Sequence, residues 1–288
     1  METSFIWRTS VAALAAVVCL NAADGHAAGR AAAPAAPPVE PSHLFAMPTG
    51  QVVRSMDLEV SGSGVLFGDD GFSPIGGLAL GLGDIAEMQL GTMELTSGLG
   101  GGDRLQSVAA GGLKVVLPLS GYARGLSASF RRSATYTERT LTGEREGNIG
   151  EFFTVLSLAN HTDAYSAGWQ GIKVNTHLGV SYLDAGLDDG AVKKSFWRPV
   201  MGFEVWRDNA RARIIGELGW NIHYTSAGKI DDIRVLVGGV RFFFSKHVTF
   251  DLGVRHQDNY DGLSSSTIQS RLHIGLPTHV LRDRVAGL

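Results

Sequence analysis

From residue 51 onward, apolar side chains recur at every second position, over stretches longer than the strands of most soluble proteins. Ile172, Val174, Leu178, Val180 and Tyr182 interleave with Lys173, Asn175, His177 and Ser181. Val248, Phe250, Leu252 and Val254 do the same against Thr249, Asp251 and Arg255. So do Ile268, Leu272 and Ile274 against Gln269, Arg271 and His273, and Met56, Leu58 and Val60 against Ser55, Asp57, Glu59 and Ser61. A strand turns successive side chains to opposite faces, so each ribbon has one face for an apolar medium and one for a polar medium.

The longest clean apolar run, Val11–Leu20, falls far short of the ~20 residues that a spanning helix needs. A chain of such ribbons can cross a bilayer only as a closed barrel. Twelve strands are expected, at 51–67, 74–82, 86–96, 107–117, 122–136, 151–159, 170–183, 196–206, 211–224, 233–244, 248–257 and 267–276. Odd-numbered connections are long (68–73, 97–106, 137–150, 184–195, 225–232, 258–266), and most even-numbered ones are tight; 160–169 is the exception. Long loops at one end and short turns at the other describe an up-and-down barrel with both termini on the short-turn, periplasmic side. The expected fold is therefore all-β: a closed antiparallel transmembrane barrel of about twelve strands.

Before the ribbons, Arg8, the apolar run and the small residues Ala22, Ala23, Gly25, Ala27 and Ala28 have the layout of a secretory signal peptide, assigned to 1–27. Residues 28–50, rich in Ala and Pro, read as a flexible periplasmic lead-in, and 51–288 as the barrel domain. The only cysteine is Cys19, so the mature chain has no disulfide or cysteine-based zinc site. No cofactor is implied. A balance of 25 basic and 28 acidic side chains gives no basic surface for nucleic acid.

Membrane economics can be checked on 122–136. Arg124 and Arg132 share the apolar phase of Leu126, Ala128 and Phe130. Eight residues separate the two arginines, about 26 Å along a strand, so both reach the interfaces, where a charge costs only about 0–1 kcal/mol. Tyr122, Tyr136, Tyr182, Trp197, Trp206, Trp220 and Tyr224 stand near strand ends, as interfacial aromatics do. Pro199 is a misfit, since a closed sheet has no edge for a residue without an N–H; a bulge or an early strand end is the expected remedy.

Pro48-Thr49-Gly50 before the first ribbon, Gly81-Leu82-Gly83-Asp84, Gly238-Gly239-Val240-Arg241-Phe242 and Leu252-Gly253-Val254-Arg255 resemble the opening and closing segments of a broad, porin-like group of bacterial outer-membrane β-barrel proteins. The likeness covers about residues 48–277 and implies architecture, with no catalytic residues attached. It also implies the outer membrane as location, its lipid and lipopolysaccharide as surroundings, and the barrel-assembly machinery as a partner. The chain departs from the pattern at its end. Arg284-Val285-Ala286-Gly287-Leu288 follows Pro277, where such chains often finish on an aromatic residue.

The polar phase nominates the lumen lining: Asp57, Glu59, Arg131, Lys173, His177, Arg198, Glu204, Arg213, Glu217, Arg241, Asp251, Arg255, Arg271 and His273. Their near balance of charge points to paired groups filling the interior. A structural, anchoring or passive small-solute transport role is expected, with no enzymatic activity and no metal. A soluble secreted or periplasmic β-barrel or sandwich binding a small ligand or lipid is the alternative, followed by a barrel hydrolase. His256 with Asp258, and His161 with Ser166, are the only groupings that suggest hydrolysis, and neither has the spacing of a known catalytic motif. Asp69-Asp70, Asp188-Asp189 and Asp231-Asp232 read as solvated loop chemistry.

Overall fold

A computed structural model describes residues 40–66, 73–99, 103–140, 143–161, 171–188, 190–207 and 210–278. The expected signal peptide, Ser166, the Asp69-Asp70 pair and the C-terminal 279–288 lie outside the described residues. Thirteen strands follow one another: β1 (Asp57–Leu66), β2 (Ser73–Gly81), β3 (Ala86–Ser97), β4 (Arg104–Pro118), β5 (Ala123–Ser133), β6 (Tyr136–Thr140), β7 (Gly143–His161), β8 (Ile172–Leu187), β9 (Val192–Arg207), β10 (Ala212–Tyr224), β11 (Ile230–Phe243), β12 (Val248–Gln257) and β13 (Thr267–Pro277). Each pairs with its sequence neighbour, except that β5 and β6 both pair with β7, and β1 pairs with β13. β5 and β6 lie end to end against β7, forming one stave. The result is a closed antiparallel ring of twelve staves.

The two faces divide as the alternation requires. Leu90, Leu113, Leu117, Leu178, Met201, Leu236 and Leu252 are exposed on the outside, and Leu90, Leu113, Leu178 and Leu252 alternate with polar side chains or glycines turned inward. Arg241, Arg255 and Lys114 are among the largest fully buried side chains. Apolar outside and ionic inside is the inverse of a soluble barrel, and it places the staves across a bilayer.

Three features depart from the expected outline. Segment 137–150, expected as a long loop, is a β6–β7 hairpin registered from Tyr136↔Gly147 to Thr140↔Gly143. Its many charges suit a ribbon standing clear of the membrane, with water on both faces. Residues 40–50, expected as lead-in, are folded inside the ring, with Leu44, Phe45 and Met47 almost fully buried. Of the aromatics expected at the interfaces, Tyr122 and Trp197 are exposed, but Tyr224 is wholly buried and Tyr136 packs beside it.

The burial of Tyr224 follows from the largest departure. At their outer ends β3 and β10, six staves apart in either direction round the ring, meet as a short parallel pair, Thr96↔His223 and Ser97↔Tyr224. Gly98 N donates to Tyr224 O at 2.6 Å. To reach each other these staves leave the wall. The β2–β3 ladder ends at Gly77↔Gly91 and the β9–β10 ladder at Leu218↔Met201. The outer half of the ring is thus pinched into two lobes. One is filled by an apolar cluster that includes Met93, Leu95, Ile149, Leu183, Leu187, Ile222 and Tyr224.

The pinch also explains Pro199. Its register with Val180 of β8 is unbroken, so there is neither bulge nor early end. In an antiparallel strand a residue's N–H and C=O point to the same neighbour. Pro199 O accepts from Trp220 Nε1 of β10 at 2.8 Å, so the missing N–H faces the side where the ladder has already stopped.

Candidate functional site

Among the described residues, the interior is where the fold gathers ionisable groups from many staves, and alternation puts them there. In β11 and β12, Arg241 and Asp251 are register partners. Arg241 donates from Nε and Nη2 to Asp251, both at 2.8 Å, from Nη1 to Glu204 at 3.0 Å, and from Nη2 to His43 O at 2.9 Å. Glu204 of β9 also accepts from Arg213 at 3.2 Å and from Asn175 at 3.1 Å. Asp251 also faces His273 Nε2 at 3.3 Å, while His273 Nδ1 lies 2.8 Å from Glu59. One connected network therefore spans β1, β8, β9, β10, β11, β12 and β13. Buried charge is tolerated only when it is paired and hydrogen-bonded in this way.

The inserted segment 40–50 completes that network from below. Ala46 N and Met47 N donate to Glu217 at 2.9 and 3.1 Å. Lys114 Nζ donates to Ser42 O at 2.5 Å and to Gln51 O. Glu40 accepts from Arg213 at 2.7 Å, and Val53 N donates to Glu87 at 2.7 Å. Leu44 and Phe45 pack on Ile215, Val235 and Val237, so the plug is held by apolar contact as well as by charge.

Of the nominated residues, Glu59, His177, Glu204, Arg213, Glu217, Arg241, Asp251, Arg255 and His273 are buried inside the ring. Arg131 lies inside against Glu151. Arg255 donates to Glu94 of the inward-turned β3. Arg271 lines the cavities described below. Asp57 and Lys173, both half-buried, stand at the beginnings of β1 and β8. Arg198 sits elsewhere: it binds Asp232 of β11 and lies over the rings of Phe196 and Trp220, covering the gap between β9 and β10.

Sequence reasoning missed Lys114, Glu87, Glu94, Glu151 and His43. Lys114 lies between the exposed Leu113 and Val115, and Glu87 just before the exposed Met88, so the same alternation carried their signal.

Between plug and apolar cluster remains a cavity of about 60 Å³, room for a few water molecules. The His256–Asp258 grouping is not assembled, and the His161–Ser166 grouping falls partly outside the described residues. His256 contacts Ser266 and Tyr260, and Asp258 binds Arg234. A different pair does form, Ser157 Oγ to His177 Nδ1 at 2.7 Å, but both residues are buried and the space beside them is about 10 Å³, too little for a substrate. Among the described residues no cluster of His, Cys, Asp and Glu is arranged to hold a metal ion.

No protein-family model and no curated protein matches the sequence. Solved structures that resemble it include LpxR from Salmonella typhimurium (11% identity over 76% of this chain and 99% of that one, TM-score 0.43). The translocator domain of the autotransporter NalP from Neisseria meningitidis (14%, 76% and 86%, TM-score 0.38) and the porin NanC (10%, 76% and 98%, TM-score 0.38) do so as well. No functional property comes with likeness of this degree. The pairing of the staves and the apolar belt speak for themselves: the chain is a closed twelve-stave β-barrel of the bacterial outer-membrane type, with an ionic interior and an inserted N-terminal plug.

Proposed function

We propose that the protein is a non-conducting outer-membrane barrel with a structural or anchoring role, rather than a passive pore or an enzyme. The observation that carries this reading is that the lumen is blocked twice. The β3–β10 pinch divides the outer half; the apolar cluster fills one lobe, the part-buried Arg255–Glu94 and buried Thr96–Gln257 pairs cross the other, and segment 40–50 fills the inner half. An ion passing through would have to cross the apolar cluster without partners, at a cost of several kcal/mol, or part the pairs of the second lobe. The exposed apolar belt argues against the soluble alternative and fits lipid as the surrounding medium. Lipopolysaccharide and the barrel-assembly machinery are its expected contacts.

Planar-bilayer recording of the folded full chain tests the reading. No stepwise conductance is expected, either for the natural protein or for a variant lacking residues 42–48, because the outer block is untouched. Regular conductance steps from the natural protein would overturn it.

A further inference from the structure

Of the two interrupted ladders, one is sealed and, among the described residues, the other is not. The β9/β10 gap is closed by Trp220 on Pro199 O and by the Arg198–Asp232 pair. Above Gly77↔Gly91, the β2/β3 gap is spanned among the described residues only by Thr92, whose Oγ1 accepts from Gly76 N at 3.2 Å and approaches Gly76 O at 3.4 Å. Glycines 76, 77 and 91 edge this gap, so no side chain of theirs narrows it. A cavity of about 90 Å³ occupies it, lined both by the lipid-facing Leu78 and Leu90 and by the interior Arg271 and His273.

Arg271 is the exception within the ionic interior. Among the described residues it has no carboxylate within ion-pair distance, and its one hydrogen bond is a long one to Leu44 O, 3.4 Å. The neighbouring acids bind other groups: Asp251 binds Arg241 and His273, Glu94 binds Arg255 through Oε2 alone, and Glu217 binds the plug amides. Arg131, which also lines both cavities, is paired with Glu151. A half-buried guanidinium with no ion-pair partner is costly, and the space in front of it opens toward hydrocarbon.

We propose that Arg271 binds the carboxylate of a single-chain amphiphile from the surrounding bilayer, entering head-first through the β2/β3 gap, with its tail left against Leu78 and Leu90. The cavity holds a carboxylate and the first methylenes but not the head of a two-chain phospholipid. The inference needs the barrel to span a bilayer but is independent of whether it conducts.

The test uses the full chain in maltoside micelles, with dodecanoate binding followed by calorimetry and by native mass spectrometry. One dodecanoate per barrel is expected, displaced neither by dodecanol nor by equimolar acetate. Arg271→Gln and Gly76→Leu are each expected to weaken binding at least tenfold. An added Cβ at Gly76 meets only Ser61 O, at 3.9 Å, so that variant has room to fold. Unchanged affinity in either folded variant overturns the proposal, as does equal competition by dodecanol. Displacement by equimolar acetate would make the site one for free anions reached through the lumen, and would also overturn it. Both competition experiments need no variant, so a folding defect in Arg271→Gln leaves the proposal open to refutation.

Discussion

Replacing Arg241 by Met asks how much of the barrel's stability lies in its ionic interior. The change removes two hydrogen bonds to Asp251, one to Glu204 and one to His43 O, and it leaves a side chain of similar length. Breaking a buried pair from one side costs about 3–5 kcal/mol, because a charge is left enclosed without its partner. Here neither acid is fully orphaned. Asp251 keeps His273 at 3.3 Å, and Glu204 keeps Arg213 at 3.2 Å. The expected loss is therefore at the lower end, about 3 kcal/mol. With a urea slope of about 2–3 kcal/mol per molar, the unfolding midpoint should fall by about 1–1.5 M. The assay is equilibrium urea unfolding in micelles, read by tryptophan fluorescence and by heat-modifiable gel mobility. Removing both charges, as in Arg241→Met with Asp251→Leu, should recover at least about 1.5 kcal/mol relative to the sum of the single changes. Strict additivity, or a midpoint shift below about 0.2 M for Arg241→Met, would refute the idea that these groups form one stabilising network.

Other outcomes follow from the faces, the plug and the gap. Leu178→Arg or Leu252→Arg places a cation on the lipid belt at a cost of about 2–4 kcal/mol and should impair membrane assembly more than Lys173→Ala; equal recovery of folded barrel would contradict the assigned faces. Enclosure within the barrel holds the His43 imidazole well below its usual range, with Lys114, Arg131, Arg271 and His273 adding to the effect. The seated plug therefore binds fewer protons than the released one, and seating weakens as pH falls through about 6.5. Amide exchange at 42–49 should speed up over that interval, and His43→Gln should flatten the dependence. Trp220→Phe strips Pro199 O of its donor and should cost about 1–3 kcal/mol, whereas Pro199→Ala should bring no gain, since the restored N–H meets no ladder.

Period-two alternation made the walls legible residue by residue: 248–257 was read with the bounds that β12 has, and most other strands to within a few residues. It also gave the side on which Arg241, Asp251 and His273 stand. What it could not give was partners, because which charge meets which depends on register between staves and on a plug whose Ala- and Pro-rich approach carries no periodicity. The apolar filling of the outer lobe escaped for a related reason. In Met93-Glu94-Leu95-Thr96, a stave lying inside the ring is covered on both faces, and alternation no longer distinguishes lipid from core.

Counted round the ring, β3 and β10 stand six places apart, and so do the two interrupted ladders, each on the same side of its displaced stave. The arrangement approximates a two-fold rotation about the barrel axis, which is why the staves that meet run parallel in an otherwise antiparallel sheet. Each displaced stave keeps the neighbour to which an outer loop ties it, and parts from the one joined by a turn at the opposite end. Two hairpins, β3–β4 and β10–β11, thus lean toward each other like a pair of leaves hinged at the inner rim. Six staves on each side let both lean equally; adding or removing a single stave would leave one leaf without a counterpart.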